Sequence, residues 1–138
     1  MTAQQAPVAR MVELGRAEAL ELLGGVELGR VVFSEQALPA IRPVNHLLDR
    51  GTVVIRTHTG SAVLGHALRS EVVAYEADQF DTATRTGWSV VVTGRASRVT
   101  DPVDLARYQE LLTPWIEREM GYVVCIRPDI VTGYRLVR

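Results

Sequence analysis

The chain has 138 residues, 47% of them apolar and 22% charged, which suits one globular domain with a sizeable core and leaves no room for a second. A formal charge of −1 gives no overall basic field, which argues against nucleic acid and acidic lipid as partners, and no run approaches the ~20 apolar residues a spanning helix needs. Cys125 is the single cysteine, so no intramolecular disulfide can form, and a reducing, cytoplasmic setting is expected.

Residues 1–15 read as a partly disordered N-terminal tail and residues 16–138 as the folded domain. Over residues 16–23, Ala17, Leu20 and Leu23 recur at threes and Gly24-Gly25 follows, which predicts a short helix. Residues 26–34 and 39–47 are rich in Val, Ile and Leu, and the four-residue connection between them is of hairpin type. Asp49-Arg50-Gly51 is a turn signal ahead of a third strand over residues 52–56, made almost entirely of β-branched residues. Thr59-Gly60 breaks that pattern. Val63, Leu64, Ala67 and Leu68 then fall at helical spacing, with Ser61 available as N-cap.

Residues 71–77 and 88–99 read as two more strands around a polar loop at 78–87. Asp101-Pro102 opens a helix whose apolar stripe is Leu105, Tyr108, Leu111 and Leu112. Strands over 123–127 and 131–136, on either side of a turn at Pro128-Asp129, finish the chain. Six or seven strands without regular βαβ alternation predict a mainly β fold, an antiparallel barrel with a few peripheral helices.

Arg56-Thr57, a two-residue spacer, then Gly60-Ser61 at a helix start make a candidate phosphate site: a guanidinium fork, two hydroxyls and unpaired N–H groups converge there. The same residues also describe a capped turn beside a solvated arginine. Trp88 reads either as a core aromatic or as a contact for a flat ring, whose polar edge Ser89 or Thr86 can hydrogen-bond. His46, His58 and His66 lack a compact ligand spacing, so no metal site is expected. His58 is placed to assist a phosphate and His46 to edge a ring, while His66 reads as an ordinary helix-surface residue. Glu76, Asp78 and Asp81 read as solvated turn formers, and Cys125 as a small core or interface residue. The P-loop, the nucleophile elbow and the glycine-rich dinucleotide fingerprint are all missing.

Three segments, PAIRPVNH (39–46), GTVVIRTHTGS (51–61) and TGWSVVVTGRA (86–96), resemble in this order the flavin-binding strands of the pyridoxamine 5'-phosphate oxidase-like, split-barrel family. The similarity runs over most of the chain, from roughly residue 16 to 138, and its specificity lies in the order of short motifs. The resemblance implies a split antiparallel β-barrel homodimer with FMN, or in some branches a deazaflavin coenzyme, in a groove between the subunits. By that likeness Arg56, Thr57 and Ser61 hold the phosphate, and Pro43, Val44 and Asn45 run along the ring's polar edge with main-chain contacts. Trp88 and Ser89 contact the flavin from the neighbouring strand or subunit.

One departure stands out: Ala62 occupies the position where many relatives carry a lysine, two residues after the glycine of this turn. The chain also lacks an evident extension for recognising pyridoxamine phosphate. The expectation is therefore an FMN-binding flavoprotein acting as an oxidoreductase on an unidentified small molecule. A non-catalytic flavin-binding or storage protein is the alternative from another class. A reductase using the deazaflavin coenzyme is a third, with Arg50, Arg69 and Arg85 as candidate partners for that coenzyme's acidic tail.

Overall fold

A computed structural model describes residues 8–138. In chain order the elements are β1 (Arg10–Glu13), α1 (Arg16–Gly24), β2 (Leu28–Glu35), β3 (Leu38–Asp49), β4 (Thr52–Thr57), α2 (Ala62–Leu68), β5 (Val72–Asp81), β6 (Thr86–Arg98), α3 (Pro102–Leu111), β7 (Tyr122–Ile126) and β8 (Ile130–Val137). Two tight turns set the β2–β3 and β3–β4 registers. Gln36 and Ala37 (φ 51° and 63°) join Glu35 to its partner Leu38, and Arg50 and Gly51 (φ 52° and 81°) join Asp49 to Thr52. Both turns place two successive residues at positive φ, the twist that matches the flanking strands.

The barrel closes through β2, β3, β4, β7, β6 and β5, with β5 pairing back onto β2 and every pairing antiparallel. β6 is long enough to serve two neighbours on one edge. Gly87 to Thr93 pair with β8, and Ala96 to Arg98 pair with β7. Gly94 lies at the switch, where a Cβ would come 1.8 Å from the Arg127 carbonyl, so only glycine admits this approach. The result is the mainly β split barrel with peripheral helices that the pattern predicts.

Strand alternation divides the side chains. Val31, Phe33, Val53, Ile55, Val73, Tyr75, Val90, Val92, Val124 and Ile126 point inward and are buried. Val54 and Val123 point outward from β4 and β7 and are covered by Tyr108 and Leu112, at and just past the end of α3. Asp101 caps α3 by accepting from the Asp104 amide at 3.0 Å.

Four details differ from the sequence reading. The strand expected at 71–77 runs on through Asp81, and the pairs Phe80↔Gly87 and Asp81↔Thr86 leave only residues 82–85 as a turn, because ladder pairing overrides the weak β-propensity of Asp and Gln. Leu111 is 60% exposed, since the buried stripe runs Leu105, Tyr108, Leu112, and Leu111 projects about 100° away from it. The last two strands make no hairpin; β7 joins β4 and β6 while β8 lies on the other part of β6. Within the expected tail, Arg10–Glu13 form β1 on the edge of β8, and residues 1–7 lie outside the described residues. Among the described residues no helix is long and apolar enough to cross a membrane.

Candidate functional site

β3 and β4 pair only from His46↔Ile55 to Asp49↔Thr52. Beyond that point β3 stays with β2, β4 stays with β7, and the two strands part. A cavity of about 370 Å³ fills the opening, bounded by Arg42, Pro43 and Val44 of β3, by Thr57, His58 and the 60–63 turn, and by Ile116, Arg118 and Met120 from the segment after α3. This volume lies near the lower end of the ~300–1,000 Å³ typical of small-molecule sites. The split in the barrel is what creates the space.

Backbone alternation equips the β3 wall. The His46 amide donates to the Glu27 carbonyl of the β2 side at 2.9 Å, so the Asn45 amide and the Pro43 carbonyl face the other way, into the gap. Pro43 sits at a position where the ladder to β2 requires no donor.

The opposite wall carries hydroxyls. Thr57, buried at the end of β4, donates to Ser61 Oγ at 2.7 Å, and the Leu64 amide donates to the same oxygen at 3.0 Å as the cap of α2. A hydroxyl has two acceptor lone pairs and one proton. Both lone pairs of Ser61 are occupied, so its remaining capacity is a donor, which suits an anionic oxygen. Ala62 lines the same cavity and packs on the core.

Arg56 points to the other face of β4. Its guanidinium donates to the Met120 carbonyl at 2.8 Å, to Leu112 at 3.0 Å and to Gln109 at 3.2 Å. It therefore pins the segment whose Ile116, Arg118 and Met120 wall the cavity, and it is not itself part of the lining. The next-residue alternation that brings Thr57 inward takes Arg56 outward.

Beneath the β3 wall lies a buried polar relay. His46 Nε2 is 2.8 Å from the Leu23 carbonyl of α1, which fixes the proton on Nε2 and leaves Nδ1 as acceptor for the Tyr75 hydroxyl at 2.5 Å. The same hydroxyl is 3.0 Å from the Val44 carbonyl. Burial holds the His46 pKa below its ordinary value and raises that of Tyr75, so both groups are neutral. Gly29 makes room, since a Cβ there would lie 2.5 Å from the Tyr75 ring. His46 thus sits behind the strand that borders the cavity, not at its open edge.

Of the eight sequence-derived site residues, Pro43, Val44, Thr57 and Ser61 meet in this cavity. The Asn45 side chain turns outward and donates to the Thr113 carbonyl at 2.8 Å. Trp88 is 6% exposed and packs beside α1 with Leu22 and Val26, and Ser89 lies on the open outer face of the sheet near Met11, Val91 and Tyr134. His58 lines the cavity, with Nδ1 3.0 Å from the Thr59 carbonyl. His66 corrects the surface reading: its ring is buried against Phe33, centroids 5.3 Å apart, with Nδ1 3.5 Å from Glu71.

Glu76 and Asp78 are not loop residues either. Both stand on β5 and face Arg30 of β2, at 2.7 and 3.4 Å. No group of three potential ligands for a metal occurs among the described residues. Cys125 is half-buried in β7, where burial pushes its thiol up to about 11. Of the arginines weighed for an acidic tail, Arg69 pairs with Glu71 instead, and neither it nor Arg50 or Arg85 lines the cavity. Sequence reasoning missed Arg42 and Arg118. Arg42 pairs with the inward-pointing Val31, and that register was the signal that places it on the cavity side.

A six-stranded antiparallel barrel, split between its second and third strands around a hydroxyl-lined cavity, defines the class. Residues 15–135 match the model of the pyridoxamine 5'-phosphate oxidase family, and the chain belongs to that family. An uncharacterized protein of Mycobacterium tuberculosis, Rv0080, is 56% identical over 132 residues, spanning 92% of this chain and 86% of that one. The FAD binding protein of Mycobacterium smegmatis is 33% identical in structural alignment, with a TM-score of 0.75 over 91% of this chain and 98% of that one. A conserved protein of unknown function from Corynebacterium diphtheriae, DIP1874, is 30% identical, with a TM-score of 0.72 over 92% and 98%.

Proposed function

We propose that this chain binds a flavin, FMN in the first instance, in the split between β3 and β4, and that it serves as an oxidoreductase for a small molecule. The observation that carries the reading is the Ser61 hydroxyl, held by Thr57 and Leu64 with only its proton left to give, at the wall of a cavity whose opposite side is formed by Pro43 and Val44. The phosphate end belongs with Thr57 and Ser61, and the polar edge of the ring with the backbone of Pro43, Val44 and Asn45. When bound, the ring supplies reversible two-electron redox chemistry, and the protein supplies orientation and exclusion of water. Arg56 acts here through the segment it pins.

Trp88 and Ser89 lie away from the cavity of their own chain. Trp88 is buried within its own chain, so of the two only Ser89, on the open outer sheet face, is available to a flavin held by a second copy, as the family resemblance implies, and we assign the functional unit as a homodimer. The outer sheet face supports this: Met11 and Ile130 are 69% and 59% exposed, and Val91 lies half-buried among them. Faces of this kind are commonly closed by twofold assembly.

FAD is a second reading, favoured by the 33%-identical FAD binding protein of M. smegmatis. The absorbance spectrum of the purified protein, followed by mass analysis of the released ligand, separates FMN, FAD and a deazaflavin coenzyme. Reoxidation cycles with NADH or NADPH then separate an oxidoreductase from a flavin carrier. Protein that carries no flavin and takes up none of the three would overturn the reading.

A further inference from the structure

We propose that assembly of the homodimer takes up protons at the paired carboxylates Glu76 and Asp78, so that the dimer tightens as pH falls from 9 to 6. This rests on the homodimer reading above and adds a control to it. The two carboxylates stand two residues apart on β5 and so share one face. The register makes that face the outer one. Glu76 lies opposite Val91 and Asp78 opposite Ser89 on β6, and these lie opposite Thr132 and Tyr134 on β8. Glu13 of β1, opposite Tyr134, ends the row, and Met11, Glu13, Ser89, Val91 and Tyr134 line a hollow of about 420 Å³ on the same face.

Arg30 of β2 reaches both carboxylates, at 2.7 and 3.4 Å, and among the described residues it is the only cation paired with either. With Glu76, Asp78 and Glu13 all ionised, one positive charge meets three negative ones on this face. The arrangement also selects the occupant. β6 is the middle of the five strands β1-β8-β6-β5-β2, so a twofold along it lays β2 of each copy over β1 of the other and carries Arg30 of one towards Glu13 of the other. A guanidinium drawn to a third carboxylate does less for Glu76, and the second copy removes water from it. Both effects favour its neutral form. In the single copy burial first, and Asp78 next, already push the Glu76 carboxyl up to about 7, against the pull of Arg30. Val91 and Ser89 bring no charge to it from β6, and Tyr75, its chain neighbour, turns inward. Association that raises it further has this contribution in full below about pH 7 and loses it as pH rises beyond.

The test follows the dimer by sedimentation equilibrium from pH 6 to pH 9 in wild type, Glu76→Gln and Asp78→Asn. Subunit exchange between two labelled pools extends the range where the dimer is too tight to dissociate. The wild-type dissociation constant is expected to rise about 10-fold or more over that range, a change that two protons taken up per dimer allow. Glu76→Gln, neutral throughout, is expected to stay within about twofold of the wild-type value at pH 6. Asp78→Asn is expected to move the wild-type midpoint to lower pH, because Glu76 loses its charged neighbour. The proton is not taken up here if Glu76→Gln follows the wild-type profile, if Asp78→Asn leaves the midpoint in place, or if the wild-type dimer is indifferent to pH or tightens as pH rises. In each of those cases the homodimer reading stands. A monomer at every pH and concentration overturns both.

Discussion

Thr57 and Ser61, four residues apart across the turn between β4 and α2, share a 2.7 Å hydrogen bond that fixes what Ser61 can still offer. With the Leu64 amide on the same oxygen, the serine is at once a helix cap and an oriented donor. Ser61→Ala should therefore cost about 1 kcal/mol of stability through the lost cap. It should also weaken FMN about 10-fold, the scale of one hydrogen bond to a charged group, with riboflavin little affected. Thermal melting and flavin titration read the two losses separately, and equal weakening of both flavins would remove the phosphate from this turn.

Arg56→Ala should be mainly a stability variant. Three carbonyls of the 109–120 segment lose their donor, which predicts a loss of about 1–3 kcal/mol in denaturant unfolding and faster proteolysis within that segment. Flavin affinity should fall as a consequence of the loosened wall, for FMN and riboflavin alike. A selective loss of FMN with unchanged stability would instead make Arg56 a direct phosphate ligand, the role the motif suggested.

The sequence revealed most where the signals were local. The β2–β3 hairpin, the Ser61 cap, and the Asp101-Pro102 start of α3 each follow from a few adjacent residues, and all three form. The split barrel was legible from strand number and motif order. Partners distant in sequence were not. Nothing near Arg56 announces that its donors are taken by carbonyls 53 to 64 residues away, nor near Tyr75 that it reaches back 29 residues to His46. β1 is four exposed residues with charged ends, too short and too polar to show a period, and it exists because β8 offers an edge.

Tyr75→Phe leaves His46 Nδ1 without its donor inside the barrel. A buried unsatisfied group costs about 1–3 kcal/mol, and urea unfolding should show a loss of that size. Gly29→Ala should be at least as damaging, because the new Cβ collides with the Tyr75 ring. The pair Gly29→Ala with Tyr75→Phe should be less than additive if the clash is what matters, since much of it involves the phenol end of the ring.

Glu76 gives a pH dependence. Burial first, and Asp78 next, push its carboxyl up to about 7 despite the Arg30 guanidinium at 2.7 Å. The folded protein thus holds a proton that the unfolded chain releases near 4.5. Its contribution is complete below pH 4.5 and is lost as pH rises through about 7. Glu76→Gln should flatten stability between pH 5 and pH 8 and stabilise the protein by about 1–2 kcal/mol at pH 8, measured by urea midpoints. Parallel pH profiles for wild type and variant would remove Glu76 from the account.

The central claim is that the opening between β3 and β4 is where the flavin lies. Backbone hydrogen exchange, compared with and without saturating FMN, tests it directly. New protection should appear at residues 42–44, 57–63 and 116–120, the three walls of the cavity, with a further site at Ser89 if the proposed second copy closes over the ligand. Bound FMN that protects other segments and leaves all three walls exchanging as in the ligand-free protein would contradict it.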